Sequence, residues 1–203
     1  RSPALAASLG SSGISCNGVI LLSSVLSYVA RAQGLVDQYV GNLPTYAATA
    51  WYFNKVPRKG TEKQFLDSAR AFAVGEYAEA LALGHTLPSA RVDAIAAKLA
   101  GFTGLSAAYI KEANLRISPS RFRKQLTRDE RRILGRFDSR FEGTDVDAAG
   151  ETPGYDPSST GITGVYVSSF RDYLDRQLQY RSDLDYRVSG GAFLGRWDFS
   201  HRP

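Results

Sequence analysis

Apolar positions in this 203-residue chain form one short continuous run and several stripes at helical spacing. The run is 16–24, whose Val19-Ile20-Leu21-Leu22 centre predicts a buried strand. Before it, residues 1–9 are rich in Ala and Ser and predict a small-residue helix, with 10–15 as the turn. A helix entering a buried strand is the interior of an α/β layer, where faces and edges both need neighbours. Nothing stands before Arg1 and no Met occurs anywhere, so the expectation is a piece of a longer protein that starts within a fold.

After the strand, residues 24–41 hold no clean period and read as a long loop. Tyr46, Trp51, Tyr52 and Phe53 then crowd a short helix-like segment that Pro57 and the Arg58-Lys59-Gly60 turn terminate. Thr61 and Gln64 stand at capping-box spacing. Phe65, Ala69, Phe72 and Glu76, with Leu66, Ala73 and Tyr77 beside them, make one wide stripe facing inward, and Gly84 ends that helix. Pro88 opens the next helix, striped by Val92, Ile95, Ala96 and Leu99 and closed at Gly101. Ser106 caps a third, carrying Tyr109, Ile110 and Ala113, and Ser118-Pro119 opens a fourth with Phe122, Leu126, Ile133 and Leu134 buried. Residues 142–164 are rich in Gly, Pro, Asp, Ser and Thr and predict a loop, after which 165–178 returns to helix.

Composition narrows the class. A hydrophobic share of 43% against 22% charged residues places the chain among globular proteins. No apolar run approaches the roughly 20 residues of a membrane span, so a membrane is not expected as partner. Cys16 is the single cysteine, which excludes an internal disulfide and reads as a small buried residue. The net charge of +5 is concentrated in Arg116, Arg121, Arg123, Lys124, Arg128, Arg131, Arg132 and Arg136. That patch raises nucleic acid as a partner. Against it, the nearby aromatics, Phe122 and Phe137, sit where a helix's buried face would be, and no nucleic-acid-binding motif accompanies the charge.

Catalytic chemistry is not legible within these residues. The Gly-x-Ser-x-Gly elbow is missing, since Gly10-Ser11-Ser12-Gly13 has its glycines too close and precedes a strand when it should follow one. His85 lies in a turn, and the Asp198–His201 spacing has no elbow serine to serve. The acidic stretch 145–151 lacks the spacing of a calcium loop, and with two histidines and one cysteine no metal or cofactor is expected.

Seven stretches nevertheless resemble, in order, the bacterial branch of the serine carboxypeptidase family: NGVILLSSVL (17–26), LPTYAATAWYFNKVP (43–57), GEYAEAL (75–81), NLRISPSRFRKQLTRDE (114–130), GRFDSRFEG (135–143), DYLDRQLQY (172–180) and WDFSH (197–201). The resemblance implies an α/β fold: a partial α/β-hydrolase, with one core strand and its flanking helix, carrying a mainly helical cap. Its expected parts are a core portion at 1–57, a helical cap at 58–143, a flexible loop at 144–164 and a return toward the core at 165–203. It implies a peptide substrate, cleaved at its C-terminal residue through an acyl-enzyme, and a periplasmic or secreted location. The family's Gly-Glu-Ser-Tyr-Gly elbow would lie just before Arg1 and the triad Asp and His beyond Pro203. The chain would then hold no catalytic residue, with Asp198 and His201 structural and the 203 residues inactive alone.

Substrate-pocket candidates remain. Ser23 and Ser24 end the expected strand at the edge where α/β sheets bind ligands. Tyr46, Trp51 and Tyr52 either wall a pocket with flat apolar area or simply pack between cap and sheet, the latter being the more ordinary use of such residues. The rival reading is an autonomous basic helical domain that binds nucleic acid or an acidic partner.

Overall fold

A computed structural model describes residues 2–22 and 35–184. The chain divides into two units, Gly34–Leu184 and a second drawn from Arg1–Gln33 and Asp185–Pro203. In the second unit the described part is helix α1, Ser2–Ser11, followed by a turn and an irregular stretch. Residues 16–22 form no strand, which corrects the expectation for them: Ile20 is 94% exposed, and Cys16 is exposed where a buried thiol was expected. An apolar run becomes a strand only when a partner takes up its amides and carbonyls, and the described residues contain a single sheet, formed elsewhere. Ser23, Ser24, Asp198 and His201 lie outside the described residues.

The unit Gly34–Leu184 is built mainly of helices. Helix α2, Asp37–Tyr52, begins within the stretch expected to be loop and carries Pro44 inside it. Gly41, Asn42 and Pro44 all disfavour a helix. The buried series Leu43, Tyr46, Ala47, Ala50, Trp51 follows i, i+3, i+4, i+7, i+8, and that packing overrides the local preference. Helix α3, Glu62–Phe72, starts on the Thr61–Gln64 capping box, with both reciprocal bonds formed. It does not run on to Gly84 as one rod. A wide turn at Ala73–Tyr77, kinked at Gly75 (φ −98°, ψ −110°), separates it from α4, Ala78–Leu83. Glu76, counted in the apolar stripe, is therefore exposed.

Helix α5, Ser89–Thr103, passes through Gly101 and stops at Gly104, whose φ of 72° is left-handed. A Cβ there would also stand 2.8 Å from that of Lys55, so both backbone and packing require glycine. Ser106 caps α6, Ala107–Glu112, and Ser118 caps α7, Pro119–Gln125, each accepting the amide three residues on. Beyond Gln125 the expected helix gives way to a tight turn with Arg131 left-handed (φ 54°). Ile133 and Leu134 are buried as expected, but on strand β1, Arg132–Leu134, which pairs antiparallel with β2, Glu142–Thr144. Phe137, expected on a buried helical face, is 73% exposed in the hairpin turn between them. Asp156 caps α8, Pro157–Asp172, so the last eight residues of the expected 144–164 loop are helix.

One core serves this unit. Leu43, Tyr46, Phe72, Tyr77, Ile95, Leu99, Ile110, Phe122 and Leu126 belong to a single buried cluster, each large side chain contributing on the order of 1.5–3 kcal/mol by burial. The segment 43–57, expected with the hydrolase core, packs here through α2 against α3 and α5. The described residues thus form a helix-rich fold with a two-stranded antiparallel sheet.

Candidate functional site

Tyr46, Trp51 and Tyr52 all lie on α2, but they do not make one wall. A helix turns about 100° per residue, which puts Tyr46 and Trp51 on the core side and Tyr52 toward solvent. Tyr46 is buried, its ring stacked on Phe122 with centroids 4.1 Å apart, and its hydroxyl donates to the Ile117 carbonyl at 3.2 Å. Burial, with smaller contributions from Tyr77 and Tyr39, pushes that hydroxyl far above the ordinary tyrosine range, so it stays a neutral donor. Tyr77 does the same a short way along the chain, donating to Leu115 at 2.7 Å. Together the two phenols hold a connector in which Asn114 and Leu115 adopt left-handed conformations.

Trp51 is 9% exposed, packed against Phe65 with centroids 5.0 Å apart and covered by the Arg58 guanidinium at 5.4 Å. Arg58 also donates to the Trp51 carbonyl at 2.7 Å, closing the C-terminal end of α2. Tyr52 is 55% exposed and edge-on to Phe53. Of the three aromatic candidates, it alone presents its ring to solvent.

The basic stretch is turned largely inward. Arg116 donates to the Leu81 and Asn114 carbonyls, Arg123 to Leu134, and Arg128 to Ala148 and Gly150. Arg121 pairs with Glu151 and Arg132 with Glu142. Lys124 is buried outright, 2.5 Å from Asp145, and also donates to the Asp147 carbonyl. Burial raises the Asp145 carboxyl, but the Lys124 hydrogen bond, the Asp147 amide and the Lys124 and Arg128 charges outweigh it, holding it below the usual range. Lys124 and Arg128 therefore fasten the polar stretch 145–150 onto α7 and the turn after it.

Sequence reasoning missed that clamp. In the sequence Lys124 reads as part of the basic patch and Asp145 as part of the polar loop, and the residue types alone give no sign that they meet. No local signal points to it: Lys124 stands two residues from both Phe122 and Leu126, on the opposite side of a helix, so helical phase alone predicts an exposed ammonium. His85 stands exposed in the Gly84–Thr86 turn. Among the described residues no three His, Cys, Asp or Glu side chains are grouped to hold a metal, and no helix is long and apolar enough to cross a membrane. The chain matches no family model, no curated protein and no solved structure.

Proposed function

We propose that this chain is the cap-bearing central part of a serine carboxypeptidase-like hydrolase, whose whole protein removes C-terminal residues from peptides. The observation that supports it is connectivity. The helical unit is one continuous stretch, Gly34–Leu184, flanked by the two segments assigned to the other unit, as an insertion into a catalytic core would be. The colinear likeness of seven stretches adds to this. On this reading the serine attacks the peptide carbonyl, the histidine carries the proton to the leaving amine, and backbone amides hold the oxyanion. All of these groups belong to sequence outside the 203 residues. On this reading the cap shapes the entrance, and Tyr52, exposed at the C-terminal end of α2, is the one of the three aromatic pocket candidates left free to meet substrate.

The test uses the complete protein encoded by the open reading frame. A fluorophosphonate should label one serine outside these 203 residues, and the labelled protein should lose its release of C-terminal residues from N-blocked dipeptides. Labelling at a serine within the chain, or an unlabelled full-length protein without peptidase activity, overturns the reading.

A further inference from the structure

The kink at Gly75 opens a groove of about 680 Å³ between α3 and α5. Its floor is apolar: the Phe72 and Phe102 rings, centroids 5.4 Å apart, with Gly75 and Gly101 beside them. Its rim carries one charge of each sign, Glu76 and Lys98, 2.6 Å apart and each about half exposed. The Lys98 ammonium also stands 5.8 Å from the centroid of the Phe72 ring. The glycines are the telling part. Neither has positive φ, and a Cβ on either would meet nothing within 4 Å. Gly75 sits at the kink, where its φ and ψ fall outside the regions open to other residues, but Gly101 lies inside a regular helix, where glycine costs about 0.5–1 kcal/mol relative to alanine and neither backbone nor packing asks for it. Gly101 leaves the groove open where a side chain would stand in it, and wide turns like the one at Gly75 recur at functional sites.

The charges select the ligand class. A purely anionic ligand would have to draw Lys98 from Glu76 and lie against the bare carboxylate, and a purely cationic one would face the reverse conflict. A zwitterion escapes both, because its ammonium meets Glu76 while its carboxylate meets Lys98 and every charge keeps a counter-charge. We propose that this groove binds a free α-amino acid with an apolar or aromatic side chain, its backbone charges on Glu76 and Lys98 and its side chain over Phe72 and Phe102. The volume lies within the usual range for small-molecule sites, roughly 300–1,000 Å³. The proposal stands apart from the hydrolase reading and needs no catalytic residue.

Calorimetric titration of the 203-residue chain tests it, using L-phenylalanine, 3-phenylpropionate and 2-phenylethylamine as probes. L-Phenylalanine should bind at about millimolar strength, and each single-charge probe about tenfold more weakly. Gly101→Leu, which fills the groove from an exposed helical position, should abolish binding, while Ala90→Leu, exposed about three turns away on the same helix, should leave it unchanged. The surface double variant Glu76→Gln/Lys98→Gln should remove the preference for the zwitterion with the groove intact. Absence of saturable L-phenylalanine binding up to about 10 mM, equal affinity for the three probes, or unchanged binding by Gly101→Leu overturns the proposal.

Discussion

The Lys124 ammonium and the Asp145 carboxylate meet at 2.5 Å with both side chains 1% exposed. Such a pair is a matching device more than a source of net stability, because desolvating two ions offsets most of their attraction. One Asp145 oxygen, Oδ2, is buried without a hydrogen-bond partner, which makes the offset larger still. Removing either partner should therefore be worse than removing both. Lys124→Ala or Asp145→Ala should destabilise the fold by roughly 3–5 kcal/mol, whereas Lys124→Met/Asp145→Leu should fall within about 1–2 kcal/mol of the parent. Urea unfolding midpoints of the three variants decide this, and equal losses in all three would refute it.

Acid should loosen the same region first. The Asp145 carboxyl is held below its unfolded value, so its contribution is fully present above the ordinary aspartate range, near 3.9, and is lost as pH falls through the lower folded value. Amide exchange at 145–151 should rise at a higher pH than exchange in α5. The Asp145→Asn variant should lack this difference between the two regions.

The buried phenols offer a finer comparison. Tyr46→Phe and Tyr77→Phe keep the rings and remove single bonds to Ile117 and Leu115, so each should lower stability by about 0.5–1.5 kcal/mol. Tyr52→Ala, at an exposed position, should change stability by no more than about 0.5 kcal/mol. On the proposed carboxypeptidase reading, the same variant of the complete protein should raise KM for peptides without altering expression. A Tyr52 variant as unstable as a Tyr77 variant would place that ring in the core after all.

Asp156 joins two elements, accepting from Ser158 at the start of α8 and from the Arg136 amide in the hairpin turn. Its carboxyl is raised by burial and lowered further by those amides and the Ser158 hydroxyl, leaving it below the ordinary range. Asp156→Ala should cost about 1–2 kcal/mol, the upper end for a helix cap, and should raise exchange at the Arg136 amide as well as in α8. Loss confined to α8 would show that the hairpin does not depend on it.

Binding to nucleic acid should be weak and indifferent to sequence, since most of the basic stretch already faces carbonyls and carboxylates of its own chain. Its salt dependence should reflect only a few phosphate contacts. Sequence-selective binding at sub-micromolar strength in physiological salt would revive the reading of an autonomous basic domain.

What the sequence made legible were features whose signal is local. Thr61 with Gln64, Ser106, and Ser118 with Pro119 mark their helix starts because the capping atoms lie within three residues of the amides they satisfy. The buried stripe of α5 was equally plain. Less visible was whatever depends on distant partners: Pro44 inside α2, rescued by packing, Ile133 and Leu134 placed on a strand, and the junction of Lys124 with Asp145. The aromatic candidates divide in the same way, since composition identifies Tyr46, Trp51 and Tyr52 as important apolar area, but only helix phase separates two core rings from one exposed ring. Residues 16–22 show the converse, an apolar run strong enough to suggest a strand but without a ladder to join.

The Tyr46 hydroxyl and the Ile117 carbonyl are 71 residues apart in sequence. Bringing such ends together is opposed by chain entropy that grows with the logarithm of the intervening length. That penalty shrinks once α3 to α6 have condensed, because the flexible span between the ends is then much shorter. The phenol bond should therefore form late in folding, after the intervening helices, and Tyr46→Phe should speed unfolding while leaving the folding rate almost unchanged.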